Sequence, residues 1–194
     1  MRSNIVRHWS SARCWRTIKE ALDDRSGVAV IEFALIMPVL IALYFGAVEL
    51  SDAMTVDRRI TAIASTSADL AAQAEELPSG EVGDIFDAAS SIMQPYSADD
   101  VSIVLTSVVA DEENNTTVDW SCSNGDEGAH PLGSAFTLPP NLTQPFTSVI
   151  VAEVTYTYNS FLSHFITTPI NMEETFYLRP RRSLTVALPD GCGG

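Results

Sequence analysis

Residues 28 to 50 read VAVIEFALIMPVLIALYFGAVEL, an almost uniformly apolar run whose only charges in 23 positions are Glu32 and Glu49. As a helix this run spans about 34 Å, enough to cross the hydrocarbon core of a bilayer. Beyond it the pattern turns amphipathic, with Leu50, Met54, Ile60, Ile63, Ser67, Leu70 and Ala74 recurring every three, four or six residues. No Gly or Pro interrupts residues 51–77, so the spacing predicts one helix of about 50 residues and about 75 Å, stopping at Pro78-Ser79-Gly80. Pro38 is expected to bend it, because proline cannot donate to the Ala34 carbonyl. A second, short helix is expected over residues 82–93, where Val82, Ile85, Phe86, Ala89 and Met93 share a face, ending before Pro95.

Past this point the period drops to two. Val101, Ile103 and Leu105 alternate in VSIVLTSVVA, and residues 116–120 are rich in β-branched side chains. The Asp, Glu and Asn residues at 111–115 supply turn chemistry between them, so a hairpin is expected. Residues 123–144 read as an extended loop, being rich in Gly, Pro, Asn and Asp. The strongest strand follows at 148–158, and two later candidates lie at 174–178 and 183–188. There is no internal repeat. Helices first and strands afterwards predict an α+β domain, its antiparallel sheet packed on the long helix.

Charge divides the chain. Residues 1–27 carry six bases against three acids, +3, whereas the remainder carries five bases against 22 acids, −17. The positive-inside bias therefore places the N-terminus in the cytoplasm and the C-terminal domain outside. The expected organisation is a basic cytoplasmic leader (1–27), a transmembrane helix (28–50), its amphipathic continuation (51–77) and an exported α+β domain (78–194). A cleaved secretory signal is the competing reading of the leader and apolar run, but that run is too long for one. Within the leader, Ile5, Trp9, Ala12, Ile18 and Leu22 fall at near-helical spacing, suiting either an anionic membrane surface or a solvated basic flank. An acidic domain would repel phosphate, so nucleic acid is not expected as a partner.

Of the three cysteines, Cys14 falls in the leader, while Cys122 and Cys192 fall together in the exported part. Such a pair in an oxidising compartment is expected to be bridged, two buried free thiols being the alternative.

Gly27 immediately precedes the apolar run, and Glu32 is the fifth residue counted from Val28. Cleavage after Gly27 would remove only the basic leader and leave the helix as an anchor. Glycine suits that position, since it lacks a side chain and readily takes the extended form a membrane-face protease needs. An acid so close to the buried end of a helix costs about 2.5–3.5 kcal/mol on insertion scales and usually has a partner. Cleavage would create one, because the new Val28 amine, with a reference pKa of about 7.7–8.0, is mostly charged near neutrality. Glu32 of one subunit would then pair with the Val28 amine of a neighbour; the alternative is a carboxylate snorkelling alone to the headgroups.

The stretch Arg25-Ser-Gly-Val-Ala-Val-Ile-Glu-Phe-Ala-Leu-Ile-Met-Pro-Val-Leu resembles the N-terminus of the TadE-like pseudopilins of the bacterial tight-adherence (Tad/Flp) pilus system. Val118-Asp-Trp-Ser-Cys, Ala152-Glu-Val-Thr-Tyr-Thr-Tyr, Tyr177-Leu-Arg-Pro-Arg-Arg and the late Cys192 are similar to later parts of that family. The resemblance implies a pilin-like domain, cleavage after Gly27 by a prepilin peptidase, Val28 as the mature N-terminus, Glu32 as the family's acidic fifth residue, and no catalysis or cofactor. It further implies a minor or assembly component in the inner membrane or pilus, supporting adhesion and biofilm growth. Its partners would be other pilin or pseudopilin subunits, the Tad secretion machinery and the bilayer. Phe33 departs from the major Flp pilin, which is much shorter and typically has Tyr after the Glu. TadG-like relatives with a von Willebrand A domain carry Asp-x-Ser-x-Ser, and Asp119-Trp-Ser121-Cys-Ser123 fits those letters. A metal site is not expected there, since polar residues precede it where a buried strand is required.

The remaining polar candidates are weak. His8, His130 and His164 share no metal-ligand spacing, and nothing resembles a nucleophile elbow. Asp99, Asp100, Asp111, Glu112 and Glu113 read as solvated loop charge or a loose calcium site. The sequons at Asn114, Asn115 and Asn141 read as turn residues. A membrane-anchored enzyme or ligand-binding domain stands as the alternative to a pilus role.

Overall fold

A computed structural model of the chain describes residues 26–160 and 169–192. The basic leader up to Arg25, with His8 and Cys14, and His164 lie outside the described residues. The chain divides into two compact units between Val48 and Glu49.

The first helix, α1, runs over Ser26–Gln73 and continues through Pro38. In the N-terminal unit its apolar side chains are exposed all round: Val30, Leu35 and Leu43 are each about two-thirds exposed or more. None of the most apolar window of this helix is buried in the protein, and the helix is long and apolar enough to cross a membrane. A helix apolar on every side has no solvated face, which is the pattern a lipid surrounding accommodates.

The second unit begins with the rest of α1. Its core face is built from Val56, Ile60, Ile63, Ala64, Ser67, Ala68, Ala71 and Ala72, all essentially inaccessible. Leu50, Met54 and Leu70, expected on that face, are exposed instead. The helix approaches its neighbours through small residues because alanine brings the backbone closer than leucine can, leaving the larger side chains to the flanks. The helix ends at Gln73, before the expected stop, and the chain from Ala74 to Pro78 leaves it to pair with a distant segment. The second helix, α2 (Ser79–Ser90), with a 3-10 turn at Ser91–Met93, buries the five residues that share its apolar face.

Four strands follow: β1 (Val101–Ala110), β2 (Thr116–Asn124), β3 (Ser148–Tyr158) and β4 (Ile170–Leu178). They form one antiparallel sheet in the order β2-β1-β3-β4. One face, with Ile103, Leu105, Ile150, Ala152 and Val154, packs with α1 and α2 in the main core. The other face holds a smaller cluster of Val108, Val149 and Val151 under Phe136, Leu138 and Leu142. The fold is therefore α+β, a long N-terminal helix whose second part, from Val56 on, packs against a four-stranded antiparallel sheet in a pilin-like arrangement. The β1–β2 hairpin carries a bulge: Ser107 pairs with Trp120 and Val108 with Val118, leaving Asp119 without a partner.

Residues 183–188, expected as a strand, do not join the sheet. They lie in a C-terminal strap bounded by Pro180 and Pro189, whose single ladder contact among the described residues is a parallel bridge between Ala187 and Glu76. Its bonds go to the ends of other elements. Arg181 N–H donates to Ala72 O at 2.9 Å, Ala187 N–H to Glu75 O at 3.1 Å, Leu77 N–H to Ala187 O at 2.8 Å and Ser148 N–H to Leu184 O at 2.8 Å. Trp120 Nε1 donates to Val186 O at 2.7 Å. The Cys122–Cys192 disulfide then ties the strap to β2, as the paired cysteines suggested.

Of residues 123–144, expected as an extended loop, the first two still belong to β2, and loop 125–138 crosses the outer face of the sheet. Gly125 starts it at φ +104°, and a Cβ there would lie 2.9 Å from Ser102 Cα and from Val101 O. Gly125→Ala is expected to lower the unfolding free energy by about 1–3 kcal/mol, since both the left-handed backbone and the close approach exclude a side chain. Thermal denaturation checks this, and an unchanged midpoint would refute it.

Candidate functional site

The sequence-predicted site lies on the first turns of α1. Gly27, Val28, Glu32, Phe33 and Pro38 are all helical. Val28 and Glu32 stand four residues apart and so fall on one helix face. Val28 is 52% and Phe33 57% exposed. A Cβ built on Gly27 meets nothing within 4 Å, and its φ is not left-handed. Glycine is therefore not demanded there by packing or by backbone geometry, and alanine would favour the helix by about 1 kcal/mol. Glu32 is likewise exposed, and among the described residues it has no ion-pair partner. Among the described residues, no packing contact requires glycine at 27 and no ion pair engages Glu32.

The α+β unit contains polar constellations of a different kind. His130 Nε2 lies 2.6 Å from Glu153 Oε2, with the ring edge-on to Phe136 at 5.1 Å between centroids. Its backbone N–H donates to Ser121 Oγ at 3.0 Å, and that hydroxyl also bonds Thr106 Oγ1 at 2.8 Å. Ser121 thus engages the His130 backbone rather than the imidazole, and holds loop 125–138 on the sheet. Of the other residues in the Asp-x-Ser-x-Ser letters, Asp119 is the exposed bulge residue and Ser123 pairs with Val104. Asp111 caps the β1–β2 turn, accepting from Asn115 N–H at 2.7 Å and Asn115 Nδ2 at 2.9 Å. The Asn115 side-chain amide holds the Asp111 carboxyl below its ordinary range. Asn114 and Asn141 adopt φ of 64° and 68°, the left-handed conformation that suits asparagine in turns.

Two polar contacts at the start of the α+β unit escaped the sequence reading. Tyr158 Oη donates to Glu49 Oε1 at 2.9 Å across 109 residues. Burial, and then that hydrogen bond, push the Tyr158 phenol well above its ordinary value. Arg59 Nη1 donates to Ile92 O at 2.5 Å, and its guanidinium lies over the Tyr96 ring at 5.6 Å. Glu49 offered one signal, an acid at the end of an apolar run; nothing local pointed to Tyr158.

With this geometry in hand, the comparisons bear on α1 alone. Residues 27–69 match the family of TadE-like proteins, so the match begins at Gly27, ends inside α1 and leaves the four strands outside it. No curated protein and no solved structure matches the chain.

Proposed function

We propose, from the TadE-like match of α1, that the chain is a membrane-anchored minor pilin or pseudopilin that takes part in assembling a Tad/Flp-type pilus. At the coarser level the match associates the chain with the Tad pilus system. The observation that carries the finer reading is the pair Gly27 and Glu32. Both sit at the start of an exposed apolar helix, where among the described residues Gly27 meets no packing constraint and Glu32 has no ion-pair partner.

On this reading a prepilin peptidase cuts after Gly27 and exposes the Val28 amine outside the basic leader. The helix stays in the inner membrane with the acidic domain on the far side. Glu32 then pairs with the Val28 amine of an adjoining subunit, which sets the stagger between helices; in lipid an unpaired carboxylate is costly enough to make that register selective. Pro38 removes one helical hydrogen bond near the middle of the span and eases bending when the helix leaves the bilayer. The chain's role is binding and assembly rather than catalysis, and it supports adhesion and biofilm growth through the pilus.

N-terminal sequencing of the protein extracted from membranes tests this directly. Val28 is the expected first residue. Met1 at full occupancy in cells that contain the peptidase would overturn the reading and favour an anchored binding or enzymatic domain.

A further inference from the structure

The two edges of the sheet are treated differently. Along β2 a neighbouring segment closes the edge: Val118 N–H donates to Ser134 O at 2.9 Å, Gly133 N–H to Val118 O at 2.8 Å and Phe136 N–H to Thr116 O at 3.0 Å. β4 ends the sheet on the other side, and among the described residues no backbone group bonds to its outer edge. A row of unpaired N–H and C=O groups is a template for an incoming strand.

A hollow flanks β4 on each face of the sheet. On the outer face, a cavity of about 220 Å³ opens between the loop bearing Glu127 and His130 and the strands bearing Glu153, Glu173 and Thr175. Four carboxylates, Glu174 being the fourth, against one imidazole make it negative. On the helix-packed face, a hollow of about 400 Å³ is lined by Leu70, Phe176 and Leu178 together with the paired Asp69 and Arg181. The register sets these on opposite sides. Glu173 and Thr175 stand beside Thr155 and Glu153, while Phe176 and Leu178 stand beside the core residues Ala152 and Ile150. Side chains of a strand laid along β4 would alternate between the same two faces.

We propose that the outer edge of β4 is a docking site for an extended segment of another protein in which basic and apolar side chains alternate, added to the sheet as a fifth strand. Charge complementarity selects this occupant. The chain from Val28 onward carries −17, so a second copy of the acidic domain is repelled, whereas a lysine or arginine side chain is drawn into the negative hollow. Its apolar neighbours along the strand then fall on the Leu70, Phe176 and Leu178 side. The backbone supplies affinity, and the two unlike hollows supply register and direction. This inference goes beyond the pilus reading and does not depend on removal of the leader.

The probe is a peptide alternating lysine and valine, matched to the nine residues of β4 and added to the full chain in nanodiscs. Hydrogen exchange of amides 170–178 provides the readout. The lysine–valine peptide is expected to slow exchange there, while a glutamate–valine peptide and an N-methylated lysine–valine peptide do not. Glu173 is exposed, so Glu173→Lys leaves the fold intact and is expected to weaken binding about tenfold, the order for reversing one rim charge. Equal protection by the N-methylated peptide would show charge attraction without strand addition and overturn the proposal. Absence of protection at about 1 mM peptide, weaker than any useful docking, would do the same.

Discussion

Removing the Cys122–Cys192 bridge is expected to lower the unfolding free energy of the α+β unit by about 4 kcal/mol, the chain-entropy figure for a closed loop of about 70 residues. That is a large share of the roughly 5–15 kcal/mol that holds a typical domain folded. The effect reaches beyond β2, because the strap tethered by Cys192 bonds the carbonyls of Ala72 and Glu75 at the end of α1 and covers the Trp120 indole. Freed at its end, the strap competes with water for those carbonyls. Urea denaturation of the wild type with and without reductant, beside the Cys122→Ser/Cys192→Ser variant, measures this. Reductant alone should reproduce most of the loss, since serine at the buried position of Cys122 adds its own desolvation cost. A shift below about 1 kcal/mol in both experiments would mean that the bridge contributes little to holding the fold.

The second large effect concerns assembly, and it follows from the proposed pairing of Glu32 with a neighbour's Val28 amine. Glu32→Gln is expected to be processed normally yet to assemble poorly. Loss of a compensated charge worth about 2.5–3.5 kcal/mol corresponds to roughly a hundredfold in a pairwise association constant. Gly27→Leu is expected to fail one step earlier, keeping its leader while the α+β unit folds as before, because among the described residues a Cβ at that position meets nothing within 4 Å. Mass spectrometry of the membrane fraction separates the two variants by the presence of residues 1–27, and pilus counts report the outcome. Wild-type pilus numbers from both would remove the ion pair from the mechanism.

Where a segment's own period specifies its partner, the reading from residues alone was accurate. β3 has the expected bounds, Ser148–Tyr158, because its alternation continues without a break through a strand paired on both sides. The apolar face of α2 was equally legible. The core face of α1 was legible only in part: Ile60, Ile63 and Ser67 are buried as expected, but hydropathy weights Leu50, Met54 and Leu70 above the alanines that complete the contact. Residues 183–188 alternate as a strand does, but their neighbours are the Glu75 carbonyl and Leu77 N–H just past α1, the Ser148 N–H at the start of β3 and an indole on β2, and no local pattern reports those. Glu49 with Tyr158 and His130 with Glu153 escaped for the same reason, being pairs separated by 109 and 23 residues. The proposed roles of Gly27 and Glu32 rest on distance along the chain from the start of an apolar run, which requires no tertiary information.

The bond from Trp120 to Val186 has an optical consequence. The chain has three tryptophans, two of them, Trp9 and Trp15, in the leader, so a chain beginning at Val28 keeps a single indole, almost wholly shielded from solvent. Its emission would be blue-shifted while the strap is docked and would move to the red as Val186 withdraws. Loss of the leader would therefore remove two indoles, and seating of the C-terminal segment would be reported by the third, with no label required.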